Sequence, residues 1–378
     1  MSPNIVYLGL VSFFTDFATA LINPILPIFV TLYLGADMKE MGIIVAASTF
    51  VSYFLRVFAG VISERLSLYK APAVLGYAIS TVAKPLISSC DSYRCVALLK
   101  SAERLGKAVR SAPKDAIIAS CSSDGFGKSF GFHKTLDIAG ETAGTLTLFA
   151  VLFWIGTAEE TIRTLFAATI IPGTVALAIM LFLVKEPKIE KKSEFRFVKE
   201  DIKVYLSLVP YFLTLFFLFN ESFFAIRAER TGIEIYTIPL LFLLSSLTQT
   251  ASSYRFGLLL DKIGYEKSMA LALFFAAISQ AALALSGWSV WISFVFLGLF
   301  TVLSLNSTRA YIASKAKQKA FLYGLFYASV AVSAAGGALV EGWLWERMGF
   351  AAAEIFAVTG TVFIWLLYLF KALNETRS

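Results

Sequence analysis

Five ionisable side chains within otherwise apolar stretches are the strongest candidates for chemistry in this chain. They are Asp16, Glu103, Arg104, Asp137 and Glu141. Burial disfavours the charged form of a carboxyl group, whereas a nearby arginine favours it, so acids that share one arginine can exchange protons. Asp137 and Glu141 are four residues apart and would share one face of a helix. We therefore expect either a fixed ion-pair network or a set of acids of which at least one titrates near neutral pH.

The remainder of the chain is strongly apolar. Of its 378 residues, 58% are hydrophobic and only 16% are charged, whereas soluble domains average about 25% charged. Twelve apolar runs are each long enough to cross ~30 Å of hydrocarbon. These runs predict an all-α integral membrane protein with twelve transmembrane helices arranged as two six-helix bundles. The runs lie at about 5–34, 41–63, 72–89, 95–113, 129–156, 163–184, 204–228, 235–260, 268–286, 289–313, 320–345 and 351–371.

The position of each charge along its run gives its expected depth. At ~1.5 Å per residue, Asp16 falls near the middle of the first run, and Arg104 and Asp137 fall at a similar depth in the fourth and fifth. We therefore expect Arg104 to meet Asp137, with Asp16 opposite, and we expect no other cation at that depth. Because charges inside a membrane are costly unless paired or hydrated, each of these is a functional candidate.

Five further cations within the runs are expected nearer the membrane surfaces. Arg56, Arg255 and Arg309 lie near cytoplasmic ends, where they would act in a gate or extend toward water. Lys84 and Lys100 fall in the outer half, where they would attract an anionic substrate or balance a carboxylate.

Lysine and arginine are concentrated in the even-numbered connections and the C-terminal tail. We assign Lys107, Arg110 and Lys114 to the connection after the fourth run, because polar residues interrupt that run and shift its end by several residues. This distribution predicts a multi-pass protein of the plasma membrane with both termini in the cytoplasm. The net charge of +7 then belongs to a membrane face, and we expect no nucleic-acid partner. One long charged stretch, 185–203, separates an N-terminal bundle, 1–184, from a C-terminal bundle, 204–378. We expect the protein to be a monomer.

The two halves repeat. GVISERLSLYK at 60–70 matches GLLLDKIGYEK at 257–267, and AIIAS at 116–120 matches AYIAS at 310–314, at nearly the same offset. A near-constant offset at separate places indicates two homologous bundles of parallel topology, related by an axis along the membrane normal.

The second copy of the repeated loop contains the pattern G-x-x-x-D-K-x-G-x-x-K. Gly257, Asp261, Lys262, Gly264 and Lys267 form it. With the repeated halves, this pattern resembles the cytoplasmic loop signature of the major facilitator superfamily. The resemblance implies a secondary transporter that works by alternating access, with a small-molecule substrate, no cofactor and no enzymatic activity.

The first copy of the signature is incomplete. Gly60, Glu64, Arg65 and Lys70 are present, but Ser67 replaces the second glycine. The resemblance implies that both copies act as cytoplasmic gates, and we expect the second copy to latch more strongly.

The resemblance also gives the charged residues roles. In superfamily antiporters a first-span acid and a fourth-span arginine take part in proton coupling, and Asp16 and Arg104 resemble them. Gly140 and Gly144 resemble the glycine-rich fifth-span signature, although Thr145 replaces its proline; their spacing also predicts tight helix packing. These features favour proton-coupled efflux (antiport). The alternatives are a uniporter or symporter of an organic solute, and a non-transporting sensor or scaffold.

The segment SSDGFGKSFGFHK at 122–134 resembles two catalytic loops and fits neither. Ser122 replaces the first glycine of a phosphate-binding loop, and GKSFG matches G-x-S-x-G only formally. Both loops require a preceding β-strand, so we interpret the segment as a turn. His133, the only histidine, either packs or relays protons. Cys90 and Cys95 share one outer connection and either form a bridge or stay separate thiols.

Overall fold

A computed structural model describes residues 2–66, 68–122, 126–186 and 200–375. In these ranges all regular structure is helical, and the protein is an all-α integral membrane protein. Its α-helices are α1 Pro3–Ala20, α2 Leu26–Ile28, α3 Met38–Leu66, α4 Lys70–Leu86, α5 Tyr93–Ser120, α6 Phe126–Trp154, α7 Glu159–Ala168, α8 Ile170–Phe182, α9 Asp201–Phe217, α10 Glu221–Arg230, α11 Ile238–Ala284, α12 Trp288–Lys315, α13 Lys319–Met348 and α14 Phe350–Glu375. A π-helical turn, Phe29–Tyr33, continues α2, and 3₁₀ turns lie at Ile87–Ser89 and Ile235–Thr237.

Every predicted apolar run contains helix. Among the described residues, 8 helical segments are long and apolar enough to cross a membrane, and one of them, Ile235–Ala284, contains two predicted runs. The first, third and fourth runs, which correspond to α1, α4 and α5, are not among these segments. The helices in these runs are short or polar, since α1 and α4 are only 18 and 17 residues long and α5 carries repeated charges. The count of twelve crossings therefore stays a prediction.

Helix α5 extends beyond its predicted end. The run was expected to stop at Pro113, but the helix continues to Ser120 with the proline inside it. A proline removes one helical hydrogen bond, and the complete burial of Ile117 and Ile118 in the following turn offsets that loss. Lys107 and Lys114, expected in a cytoplasmic connection, therefore lie on this helix, as does Arg110.

The described residues form two compact units. The first contains residues 2–36, 47–186 and 235–239, and the second contains 37–46, 200–234 and 240–375.

Glycines allow the helices of the first unit to approach closely. Helix α6 packs along α1, and a methyl group added to Gly140 or Gly144 would overlap the backbone carbonyl oxygens of Phe13 or Phe17. Small residues at this spacing bring backbones together where hydrophobic burial cannot drive association, as in lipid. This close crossing sets the distance between the polar side chains of α1 and α6.

The second unit has a corresponding crossing. A methyl group on Gly337 of α13 would overlap the carbonyl oxygen of Phe216 on α9. Gly337 lies 193 positions after Gly144, close to the offset between the two repeated halves of the sequence. The same contact, a small residue against a phenylalanine carbonyl, is therefore present in both units.

Candidate functional site

An acid pair lies at the crossing of α1 and α6. The carboxyl groups of Asp16 and Asp137 are within hydrogen-bonding reach of each other. The Oδ1 atom of Asp137 is buried and has no hydrogen-bond donor within the described part of the chain. Two carboxylates at such a separation repel, so a proton held between them supplies the missing hydrogen bond and removes the repulsion.

His133 adjoins this pair. Its side chain is buried, its Nε2 atom is hydrogen-bonded to Ser12 Oγ at 2.8 Å, and its Nδ1 atom lies 3.9 Å from Asp137 Oδ1. It lies one helical turn before Asp137, on the same face of α6. The histidine thus lies between Ser12 of α1, to which it is hydrogen-bonded, and Asp137 of the acid pair.

Lysines supply positive charge around the acid pair. Lys134 Nζ lies 3.5 Å from Asp137 Oδ2, with most of its side chain exposed. Lys107 and Lys114 of α5 act electrostatically on Asp16, and Lys114 acts on Asp137 as well. Both α5 lysines were expected in the connection after the fourth run and were therefore not among the predicted site residues. The apolar residues after Pro113 continue the helical spacing, and this spacing was the signal that the helix extends to include both lysines.

A second cluster surrounds Glu103, whose side chain is 1% exposed. Its Oε2 atom lies 3.2 Å from Lys100 Nζ and 3.4 Å from Arg104 Nε. These contacts are ion pairs, since neither oxygen of Glu103 receives a hydrogen bond of good geometry from the described residues. Lys100 Nζ also donates to Asn23 Oδ1 at 2.6 Å. Glu103 thus balances two buried or half-buried cations at once.

The expected contact between Arg104 and Asp137 is absent from the described residues, in which Arg104 pairs with Glu103. The expectation that Arg104 would be the sole cation at this depth is wrong. Lys84 Nζ donates to the carbonyl oxygen of Thr15 at 3.0 Å, next to Asp16, and to Thr19 Oγ1 at 2.7 Å. The depth estimate failed because it placed charges at their Cα positions, whereas a lysine carries its ammonium group over a long flexible side chain.

Glu141 lies on α6 one turn beyond Asp137 and is half-buried. Within the described ranges its carboxyl group has no hydrogen bond or ion pair, and its carbonyl oxygen accepts from Thr145 Oγ1 at 2.8 Å. It is therefore adjacent to the acid pair without being joined to it.

The second copy of the loop signature lies within α11. Gly264 has φ 76° and interrupts the helical geometry there, a conformation that glycine adopts without strain. Asp261, Lys262 and Lys267 are exposed, and Gly257 has open space around its Cα. The signature thus forms a turn between two helical segments, with its charges in solvent.

The first copy is described only in part. Gly60, Glu64 and Arg65 belong to α3, but their side chains fall outside the described residues, as does Ser67. Lys70 Nζ donates to the carbonyl oxygen of Leu181 at 2.8 Å. Its backbone N–H donates to the carboxylate of Glu186 at 2.8 Å, so that an acid caps the first turn of α4.

Cys90 and Cys95 form a disulfide bond between α4 and α5. Arg163 of α7 secures this connection, donating to the carbonyl oxygen of Cys90 at 2.9 Å and to Asp91 Oδ1 at 2.9 Å. It also pairs with Glu159 at 2.7 Å. The bridge is the first of the two alternatives that the sequence allowed.

The second unit contains a buried acid that the sequence analysis missed. Glu341 of α13 is 0% exposed, and neither of its oxygens has a hydrogen-bond partner among the described residues. The signal was an acidic residue inside the apolar run 320–345, which the analysis of charges overlooked.

Relatives of known sequence place the chain in a family. A family model described as the Major Facilitator Superfamily matches residues 8–236. Over 375 residues the chain is 29% identical to an uncharacterised MFS-type transporter of Methanocaldococcus jannaschii, covering 95% of this chain and 93% of the relative. It is 24% identical to an uncharacterised protein of Mycobacterium tuberculosis, covering 83% of this chain and 80% of the relative.

Solved transporter structures share the fold. A variant of the nucleoside transporter NupG superimposes with a TM-score of 0.83 at 10% identity, covering 97% of this chain and 99% of that structure. A POT family transporter in complex with a thioalcohol-conjugated peptide superimposes with a TM-score of 0.80 at 12% identity, covering 98% and 96%. At such low identities the similarity establishes the fold alone.

Proposed function

The chain belongs to the Major Facilitator Superfamily, whose members are secondary transporters, and we propose that it couples a small solute to protons through Asp16 and Asp137. The supporting observation is the contact between these two carboxyl groups at the crossing of α1 and α6. A pair of acids in contact holds one proton more readily than two separate acids do. Charges that approach or leave the pair then change its proton affinity, which is what coupling requires.

Each residue of this site has a proposed role. Asp16 is the proton site and Asp137 its partner, with Glu141 as the next candidate. His133 relays protons, because it contacts both Ser12 of α1 and Asp137. Arg104 acts through its ion pair with Glu103, which holds the neighbouring helix face in place.

Two modes of coupling fit an acid pair. Efflux by proton antiport is the mode that the Gly140 and Gly144 pattern favours. Symport is the mode favoured by the surplus of cations over acids on α4 and α5, since a proton and an anionic solute would then bind together. Proton release on solute binding indicates antiport, and proton uptake indicates symport.

The proposed setting is the plasma membrane, with both termini in the cytoplasm and one chain as the working unit. The Cys90–Cys95 bridge supports this orientation, because disulfides persist on the oxidising side of a membrane. Maleimide labelling of a cysteine introduced near either terminus of a Cys121→Ser variant, compared between cells and inverted vesicles, tests the orientation.

Gradient-driven uptake tests the coupling. A thermal-shift screen of the purified protein supplies a bound compound, and its uptake into proteoliposomes is then measured with an imposed pH gradient. Asp16→Asn should abolish accumulation while leaving downhill exchange. Glu160→Gln, a control that removes an exposed carboxylate from α7, should accumulate the compound normally.

One result of the uptake assay would contradict proton coupling. Full gradient-driven accumulation by Asp16→Asn, Asp137→Asn and Glu141→Gln alike would show that these acids are structural. Absence of any flux by the wild type, with retained binding, would instead favour a non-transporting sensor.

A further inference from the structure

The polar side chains of the first unit carry more positive than negative charge. Six cations on α4 and α5 form what we call the cation cluster: Lys84, Lys100, Arg104, Lys107, Arg110 and Lys114. Five carboxyl groups at comparable depth accompany them: Asp16, Glu103, Asp115, Asp137 and Glu141. Asp115 Oδ1 lies 4.0 Å from Lys114 Nζ. If the acid pair holds a proton, the surplus of positive charge is larger still.

Two members of the cation cluster are satisfied by neutral groups. Lys84 is held by a carbonyl oxygen and a hydroxyl group of α1. Arg110 Nη1 donates to Ser80 Oγ at 2.5 Å, and its guanidinium group lies 4.6 Å from the centre of the Tyr77 ring. These contacts satisfy hydrogen-bonding capacity without adding a negative charge. Lys84 is compensated in part by the nearby carboxylates of Glu103 and Asp16.

Lys107 is the member with the fewest contacts. Its side chain is half-buried, and in the described part of the chain its ammonium group makes no hydrogen bond or ion pair. Three and seven residues away on one face of α5 are Arg104 and Lys114, whose side chains are 23% and 19% exposed. Charged groups partly exposed at membrane depth face water, because exposure to lipid is too costly. This face of α5 is therefore accessible and positively charged.

Rigidly held positive charge in a low-dielectric region attracts a counter-charge. We propose that the transported solute is a small organic anion whose carboxylate or phosphate group binds Arg104 and Lys107 on α5. Arginine offers a planar pair of donors to such a group, and lysine adds a mobile ammonium. This inference rests on the proposed function, since it names the substrate class of that transporter.

The inference also fixes the sign of the coupling. An anion at Lys107 lies close to the acid pair, because Lys107 acts electrostatically on Asp16. Additional negative charge there makes removal of a proton from the pair harder. Proton and anion therefore strengthen each other's binding, by the same factor in both directions. The expected mode is symport.

Matched pairs of anionic and neutral compounds test the proposal on the full chain in phosphatidylcholine nanodiscs. The probes are succinate against succinamide, glycerol 3-phosphate against glycerol, and benzoate against benzamide, with thermal stabilisation titrated for each. We expect at least one anion to stabilise the protein more than its neutral partner. The effect should be larger at acidic than at alkaline pH and should weaken with added salt.

Variants locate the anion. Lys107→Gln should weaken anion binding by about tenfold or more, Lys107→Arg should largely restore it, and the exposed Lys203→Gln should leave it unchanged. Adding phosphatidylglycerol to the nanodiscs separates two sources of the same chemistry. If this lipid abolishes the stabilisation by soluble anions, a lipid headgroup occupies the site and the substrate assignment is overturned.

The remaining outcomes separate this inference from the proposed function. If no anion stabilises more than its neutral partner, or if Lys107→Gln binds as the wild type does, the anion assignment is wrong. Gradient-driven accumulation of a neutral or cationic compound would then leave proton coupling intact. Binding of an anion whose uptake does not respond to a pH gradient would support the substrate class and contradict proton coupling.

Discussion

Removal of the Glu103 carboxylate should destabilise the protein more than loss of any single cation around it. Glu103 Oε2 contacts Lys100 Nζ at 3.2 Å and Arg104 Nε at 3.4 Å. At an effective dielectric constant of about 20, each contact has a gross attraction of about 5 kcal/mol. Much of this attraction offsets the desolvation of the three groups, so the net value of the cluster is small. Loss of one partner nevertheless leaves a buried charge without compensation, which costs about 3–5 kcal/mol.

The two partners of the pair should therefore respond unequally. Glu103→Gln leaves two cations without a carboxylate, and we expect a loss of about 3–5 kcal/mol in the free energy of unfolding. Lys100→Gln leaves Glu103 paired with Arg104 and should cost less. The double variant removes one charge of each sign and should be more stable than the sum of the single effects predicts, with an interaction energy of about 1–3 kcal/mol.

Unfolding of the purified protein in mixed micelles, followed by circular dichroism, measures these differences. Glu160→Gln serves as the control, since an exposed carboxylate on α7 should change stability by only about 0.5 kcal/mol. Additive single effects, or a Glu103→Gln variant as stable as the control, would show that the cluster is hydrated and not a buried ion network.

Three further predictions concern other parts of the chain. Gly144→Ala should lower the free energy of unfolding by about 1–3 kcal/mol, because its methyl group would overlap an α1 carbonyl oxygen. The control Gly131→Ala, with open space around it, should be neutral or raise that free energy by up to about 1 kcal/mol. Equal effects of the two substitutions would contradict the close crossing of α1 and α6. Glu341→Gln should change the free energy of unfolding by less than about 1 kcal/mol, since an amide replaces a carboxyl group that has no hydrogen-bond partner among the described residues. A larger loss of stability in thermal unfolding would indicate an ionised acid. Asp261→Asn should have a larger effect on transport than Glu64→Gln, because the first copy of the loop signature lacks the second glycine. The effect is slower flux, or a shift between the inward-facing and outward-facing populations measured by cysteine accessibility. Equal, negligible effects of both substitutions would refute this asymmetry.

The sequence predicted the helical membrane class well, because long apolar runs are a direct consequence of the bilayer's thickness. It failed at the end of α5. Pro113 and the nearby lysines are typical of a connection, and the helix continues through them because Ile117 and Ile118 are buried beyond the proline. Local composition cannot show such burial, because it depends on the neighbouring helices.

The site was partly readable from helical spacing. His133 and Asp137 are four residues apart, so helical spacing was enough to predict their proximity, although the sequence analysis did not pair them. The hydrogen bond between His133 and Ser12 and the contact between Asp16 and Asp137 join residues more than 100 positions apart. These contacts depend on the glycine-mediated crossing of α1 and α6, whose rotation the sequence alone did not specify.

Three of the four helices that hold the charges have the weakest membrane signal, and the fourth, α6, qualifies as a span. By length and composition α1, α4 and α5 do not qualify as spans, whereas the helices from α9 to α14 lie in segments that do. A charged side chain at the centre of a spanning helix costs about 2.5–3.5 kcal/mol to insert. This insertion cost in three helices of one unit is hard to explain by stability, because apolar residues of similar volume would pack there without the cost. Proton and anion binding supply a reason, since both need charge held inside the membrane. The asymmetry between the units thus supports a chemistry concentrated in the first.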